Sequence, residues 1–483
     1  MEKKSALYQY VYDALVSNIQ IGNIPTGDKI PSIDQLCEQY RVGRNTVRRA
    51  LYKLQEDGYV KLMQGVGTIV VYRNENVISP NLSVLHRRKE FILDLCKTVI
   101  PILGELIADG IALCPEDEIN KLGKLSKDLN PWKHNLEELH RIMLSMMRIS
   151  LMAFKNPILI DLWESVINYN TIPYIEGLGN KNPHISILNV TQRTVGQMLF
   201  YARKNKIDEI KRYMDYMSAN YIILMQDYFA YIDNEVDDEK VKDPFELNIG
   251  RESRTIYPKI ASNILSKIES GIYVDKQFLP LPSALERQYQ VAGMTIKHAL
   301  SLLENAGSIQ YVKDKGYQVQ VRHTDSLKRC VENHFIRRCM VQCLWVLQII
   351  ASTIGSISRN YFHNLQTEMI VQQIEPLNSR ETTRFIMHEL LMAIESDTLC
   401  TIWRKLEELS DWGDVVRYVS VPDENKLIMT RHRENLINSL KHDNISLFST
   451  TLQDIYLHNF ILFKEKMLES GVYEIKDIPT PVF

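Results

Sequence analysis

The chain has 483 residues, 45% hydrophobic and 24% charged, and its 57 basic side chains nearly cancel 59 acidic ones to leave a formal net charge of -2. That is a globular composition of about two to four domains, and only 20 glycines and 17 prolines exclude a collagen-like or disordered chain and point to a mainly helical one rather than a glycine-rich α/β enzyme. Seven cysteines with no C-x-x-C pair exclude a disulfide framework and a zinc ribbon; Cys339 and Cys343, one helical turn apart, read as buried thiols.

The opening MEKKSALYQYVYDAL is charged and then amphipathic, unlike a secretion signal. The longest apolar run, Met340 to Ile354, holds Gln342 and Gln348 and is shorter than the ~20 residues needed to cross a bilayer, so it reads as a buried helix. A cytoplasmic protein with no membrane partner is expected.

Leu7, Val11, Leu15 and Ile19 recur at helical spacing, and Gly22, Pro25 and Gly27 end that first helix. Ser32 caps a short helix carrying Leu36, and Tyr40-Arg41-Val42-Gly43 makes a turn. A third helix follows from about Arg44 to Asp57. Two short strands, Tyr59 to Met63 and Thr68 to Tyr72, are joined by Gln64-Gly65-Val66-Gly67. The third helix has an apolar stripe of Val47, Ala50, Leu51 and Leu54, and an outward face of Arg44, Asn45, Arg48, Arg49 and Lys53. From Arg41 to Lys53 there are five basic residues and no acidic one. Such a helix, second in a helix-turn-helix and followed by a glycine wing, suits the major groove: arginine forks onto guanine, asparagine onto adenine, and other arginines take phosphate. The wing glycines allow close backbone approach.

The same pattern returns after a shift of 249 residues, with no gap from Tyr8 to Val70. Tyr8 falls on Tyr257, Ile19 on Ile268, Pro31 on Pro280, Leu36 on Leu285, Thr46 on Thr295, Gly58 on Gly307 and Gly67 on Gly316. The second copy keeps the apolar skeleton but loses the reading residues: Arg44 becomes Gly293, Asn45 becomes Met294, Arg49 becomes His298 and Gly65 becomes Asp314. Only Thr295 and Lys297 remain as DNA contacts there, and this domain is expected to bind DNA weakly or to serve as a packing partner. The helix-rich regions behind each copy match at a shift of 240: Leu151-Met152-Ala153, Leu159 and Trp163 fall on Leu391-Met392-Ala393, Leu399 and Trp403. The expected architecture is therefore mainly α, with two winged helix-turn-helix domains alternating with two all-helical bundles. The domains are 1–73, 82–232, 253–322 and 326–472, with boundaries near Asn74 to Asn81, Asp233 to Asp243 and His323 to Ser326.

The stretch GNIPTGDKIPSIDQLCEQYRVGRNTVRRALYKLQEDGYVKLMQGVGTIVV resembles the winged helix-turn-helix of the GntR family of bacterial transcription regulators. The resemblance covers about 65 residues and implies Arg44, Asn45, Thr46 and Arg48 as recognition-helix DNA contacts and Gly65 and Gly67 as wing contacts; Arg49 joins them on the basic face. Asp34 departs from the family pattern, in which a basic or neutral residue there touches the DNA backbone. The helical regions faintly resemble the FCD subgroup, whose bundle binds small carboxylates, often through a metal held by an aspartate and histidines. That resemblance implies His388, His432 and either Asp454 or His458 as candidate ligands of a divalent metal in the second bundle. Arg384 stands where the family has its aspartate, and Arg148 replaces the first bundle's histidine. Ordinary hydrogen-bonding histidines are the competing reading, and a third is that Arg148 and Arg384 bind a carboxylate or phosphate directly.

An enzyme is not expected: G-x-G-x-x-G after a strand, a Walker loop, H-E-x-x-H and G-x-S-x-G are all absent from the sequence. Some GntR proteins of this length carry an aminotransferase-like pyridoxal phosphate domain, but helices and a second winged domain occupy its place. The sequence thus reads as a transcription regulator whose affinity for double-stranded operator DNA is controlled by a small-molecule effector. The chain is expected either to form a homodimer or to be its own pseudo-dimer. The rival is a protein-interaction module built on winged domains.

Overall fold

Val47, Ala50, Leu51 and Leu54 can all be buried at once only on one side of a helix. In the computed structural model of the chain they line the buried side of such a helix. The structure describes residues 8, 11–12, 15–16, 19, 24, 26–40, 42–63, 65, 67–72, 82–128, 136–170, 172, 197–204, 206–236, 242–245, 247, 249, 256–269, 271–320, 326–410 and 424–482. The fold is mainly helical with two small two-stranded sheets.

In the N-terminal module, Tyr8, Val11, Leu15 and Ile19 are helical, and the last three are buried; Leu7 lies outside the described residues. Helices α1 (Ile33–Tyr40) and α2 (Arg44–Glu56) follow, then antiparallel strands β1 (Val60–Met63) and β2 (Gly67–Val70). The start of α1 is held reciprocally: the Ser32 amide donates to Gln35 Oε1 at 2.8 Å and the Gln35 amide to Ser32 Oγ at 3.3 Å. The strands are shorter than the sequence suggests. The Tyr59 amide is taken by the Leu54 carbonyl at the end of α2, and Met63 pairs with Gly67, which moves the second strand forward by one residue. Gly67 has φ 114 and Gly65 φ 75, left-handed values that a side chain at the hairpin tip would strain.

Residues 82–235 form α3 (Leu82–Leu113), α4 (Glu116–Asp128), α5 (Leu136–Met152), α6 (Pro157–Tyr169) and α7 (Ile207–Glu235). The run Asp233 to Asp243, where a boundary is expected, is described in part. Helix α7 runs through Asp233, whose carboxylate bonds Lys89 Nζ at 2.5 Å, and Asp243 takes Arg88 Nε at 2.9 Å. The described part of this acidic run is anchored to α3, and Phe245 and Ile249 beyond it are buried in the helical core. Asn74 to Asn81 and residues 323–325 lie outside the described residues.

A second module follows: α8 (Tyr257–Glu269), α9 (Pro282–Tyr289), α10 (Gly293–Asn305), β3 (Ile309–Val312) and β4 (Gly316–Val319). Both ends of α9, α10, β3 and β4 lie 249 residues after those of α1, α2, β1 and β2. The strand register repeats as well, Val60 opposite Val70 and Ile309 opposite Val319. So does a tie between helix and hairpin, in which the Leu62 amide donates to Gln55 Oε1 at 2.9 Å and the Tyr311 amide to Glu304 Oε1 at 3.0 Å.

The remaining helices are α11 (Ser326–Glu332), α12 (His334–Tyr361), α13 (Thr367–Ile374), α14 (Ser379–Ala393), α15 (Asp397–Ser410), α16 (Glu424–Lys441) and α17 (Ile445–Glu469). Helix α12 contains the apolar run and, with Phe362–Asn364, is long and apolar enough to cross a membrane, but it is mostly buried within the protein. Its Cys339 and Cys343 are buried thiols, and burial pushes the Cys339 thiol up to about 12.

Three cores result. One joins both helical regions, running from Leu95 to Trp163 and on to Val346, Trp403 and Leu452. A second joins the 257–319 module to α12, α17 and the C-terminal residues through Met340, Leu344, Phe460 and Met467. The third, from Val11 to Val70, draws on the N-terminal module alone.

Candidate nucleic-acid interface

Helix α2 begins at Gly43 with no side-chain cap and no acidic residue in its first turn, so its amide dipoles face outward uncompensated. A helix start of this kind favours an anion such as phosphate. Arg44, Asn45 and Arg48 are exposed, and Thr46 is half-buried. Arg44, Asn45 and Arg48 therefore form one outward-facing group at the start of the helix, with Thr46 half-buried beside them. Beneath it the buried stripe packs on α1 and the first helix.

The structure adds a partner that the sequence leaves unpaired. Asp34, on α1, holds the Arg44 guanidinium with both carboxylate oxygens at 2.8 Å, and the two side chains remain 71% and 63% exposed. An exposed pair contributes at most about 1 kcal/mol to stability. Its larger effect is geometric, since it fixes where the arginine fork sits and sets one negative charge beside it.

Arg49 has a different environment from its neighbours. Its guanidinium lies 3.9 Å from the centre of the Tyr8 ring, stacked back on the first helix. The second module has a ring contact at the same register, with His298 and Tyr257 edge-on and their centres 5.5 Å apart. Position 49 thus packs α2 on the preceding helix. At the far end of α2, Lys53 donates to Asp57 at 2.8 Å, which holds the ammonium above its usual range and the carboxyl below. Tyr12 donates to the same carboxylate at 2.6 Å.

The second module has the frame without the charge. At Gly293, a Cβ would stand 2.6 Å from Glu286 Oε1, so a carboxylate fills the space beside the position equivalent to Arg44. Met294 and Leu281, equivalent to Asn45 and Ser32, are exposed apolar side chains. Thr295 is half-buried and Lys297 exposed. Asp314 takes the left-handed hairpin position of Gly65 with φ 62 and adds an acid at the tip.

In the helical regions His388 has Glu389 as its neighbour, while His432, His458 and Asp454 act on one another electrostatically. His388 on α14 is exposed beside Glu389, 3.3 Å away. His432 on α16 is half-buried; burial pushes its pKa below the usual value, with Asp454 acting against and His458 with the shift. His458 Nε2 is buried with no hydrogen-bond partner, while Asp454 is exposed. Among the described residues no group of three or more His, Cys, Asp or Glu is placed to hold a metal ion. Arg384 is exposed on α14. Arg148 lies 3.6 Å from Glu164 and donates to the Met152 thioether, so neither arginine presents a fork to an enclosed site.

A cavity of about 50 Å³ lies between α3, α4, α5 and α7, lined by Ile107, Leu122, Met143, Met146, Met214 and neighbouring apolar side chains. Its one polar lining residue, Ser150, donates its hydroxyl to the Met146 carbonyl at 3.0 Å. The described lining carries no charge. Only the packing of the helices reveals the space between these methionines.

Comparison with known proteins places the N-terminal module. Residues 7–70 match the model for "Bacterial regulatory proteins, gntR family", so the N-terminal module is a helix-turn-helix domain of that type. The chain is 42% identical over 69 residues to the histidine utilization repressor of Pseudomonas aeruginosa, covering 14% of this chain and 28% of that protein. It is 38% identical over 95 residues to the HTH-type transcriptional regulator LutR of Bacillus subtilis, covering 20% of this chain and 41% of that one. The chain thus spans less than half the length of these curated relatives. A solved structure of E. coli McbR/YncC is similar at 16% identity with a TM-score of 0.27, covering 48% of this chain and all of that one.

Proposed function

We propose that the protein is a sequence-specific, double-stranded DNA-binding transcription regulator and not an enzyme. Arg44, Asn45 and Arg48 read base edges, Thr46 and the Gly65–Gly67 hairpin contact the backbone, and Arg49 braces the helix. One observation carries this reading: three exposed polar and basic side chains stand together at an uncapped helix start, on a module whose apolar side is fully used by its own core. The family match over residues 7–70 and the names of the relatives support it.

The module over 257–319 is a degenerate tandem copy that contributes little to DNA binding, with Thr295 and Lys297 its remaining contacts. The coincident element ends at a shift of 249 support the duplication, and Gly293, Glu286 and Met294 support the loss of reading. A small-molecule effector acts through the helical region, seated in the methionine-lined cavity, whose walls suit an apolar group better than a metal-held carboxylate. Unbranched methionines allow such a cavity to widen around a ligand.

The test is selection of duplexes from a random library, followed by a salt titration of the winner. Specific binding that weakens steeply with salt is expected, since phosphate contacts release counterions. Enrichment of no sequence, or an affinity indifferent to salt, would overturn the reading.

A further inference from the structure

The two helical regions are joined by a reciprocal contact. Asn156 caps α6 by accepting the Leu159 amide at 3.1 Å, and its Nδ2 reaches across to α12, donating to the Trp345 carbonyl at 2.8 Å and to Gln348 Oε1 at 2.9 Å. Gln348 returns a bond from Nε2 to the Phe154 carbonyl at 3.1 Å. At the position 240 residues later, Ser396 precedes α15 and its hydroxyl accepts the Leu399 amide at 3.1 Å. Here the partner comes from α3, where Asp94 Oδ2 accepts from the Thr398 amide at 3.0 Å, its hydroxyl at 2.7 Å and the Ser396 hydroxyl at 3.0 Å. The long helix of each half therefore holds the start of the matching helix in the other. Between them Ser356 on α12 donates to Glu105 on α3 at 2.7 Å.

In a two-fold dimer, residue i of one copy meets j of the other and j meets i. Here the exchange runs between helices inside one chain, α12 meeting the start of α6 and α3 the start of α15. Asn156, Gln348, Ser396 and Thr398 are all buried, so parting the halves leaves several polar groups without partners, and the halves also share one apolar core. The 257–319 module is fused to α12 and α17 and keeps, of the four cations along α2, only a lysine, Lys297, in place of Arg48.

We propose that one chain is a complete regulator, with its dimer interface satisfied internally, and that its operator is a single asymmetric half-site read by α2. This rests on the DNA-binding reading above and names the kind of site that reading requires. The expected behaviour follows from geometry: one internal pair, one charged reading helix, one half-site.

Light scattering of the free full chain, and native mass spectrometry with two duplexes, test it. The duplexes carry the selected site once, or twice as an inverted repeat. A free particle of 56.2 kDa is expected, with one chain on the single site. On the repeat two chains should bind independently, with no coupling between them. A free dimer, or coupling of about fivefold or more on the repeat, the lower end of measured cooperativity, would overturn it. Failure of every duplex to bind would instead sink the DNA-binding reading and with it the half-site, while the mass of the free chain would still decide whether pairing is internal.

Discussion

Both three-helix modules keep the same elements in the same register, yet one is an independent body with a charged exposed helix and the other is built into the helical core. Their hydrophobic skeletons correspond almost residue for residue; Leu36 and Leu285 are both fully buried. What differs is the surface. Along α2 stand Arg44, Arg48, Arg49 and Lys53 against one Glu; along α10, Lys297 and His298 against one Glu. A fold is specified by its apolar positions and turns, and function by the few outward residues that the fold leaves unconstrained. The pair of modules separates the two within a single chain.

The largest expected effect breaks the comparison at the charge. If Arg44 and Arg48 read bases as proposed, replacing both with alanine removes two contacts of about 1–3 kcal/mol each, and affinity for the selected duplex should fall by about 100-fold or more. Lys297→Ala should stay within about threefold. Fluorescence anisotropy measures both, and equal losses would erase the division between the modules.

The skeleton gives the next test. Leu36→Ala and Leu285→Ala each empty a fully buried site and should cost about 2–5 kcal/mol. Hydrogen exchange should show the first loosening residues 8–72 alone. The second should spread into α12 and α17, because those helices share its core. Loss of protection confined to 257–319 would show that the second module is as independent as the first.

A smaller effect sets the helical body against the reading module. Asp109 is buried on α3 with Lys211 Nζ 2.9 Å from Oδ1, and burial pushes its carboxyl up to about 6 from 3.8, with Lys211 opposing. The folded state then holds this proton more tightly than the unfolded one. Stability from this group is greatest below about 3.8 and declines as pH rises to about 6, by up to about 3 kcal/mol. Thermal melts across that range should show the decline in the body, and Asp109→Asn should flatten it.

The smallest effect concerns Asp34. Removing a carboxylate from the DNA-facing side should raise affinity for random duplex by about two- to fivefold, while the freed Arg44 discriminates less between bases. Anisotropy with random and selected duplexes separates the two. An unchanged ratio would leave Asp34 as a bystander.

Much of the reading surface is legible in the sequence because it lies on one helix. Side chains at Arg44, Asn45 and Arg48 share a face by helical period alone, and the stripe opposite fixes which way the face turns. The Arg44–Asp34 pair was beyond that logic, since it joins two helices whose angle is set by the turn between them. Arg49 is exposed, as period places it, and its stacking on the Tyr8 ring is likewise a contact between two helices that period does not encode. In the helical regions the histidines matched a family pattern in order, but a metal needs its ligands together in space, and no described group of them meets that condition.

The linear order of residues determined the elements, their repetition at 249 and the charge on the reading helix, because each depends on spacing along a helix or strand a few residues long. Tertiary structure decided which module stands alone, how Asn156 and Asp94 join the two halves, and where a cavity remains. Those outcomes depend on groups some 190 to 300 residues apart meeting at buried positions, which no local period encodes.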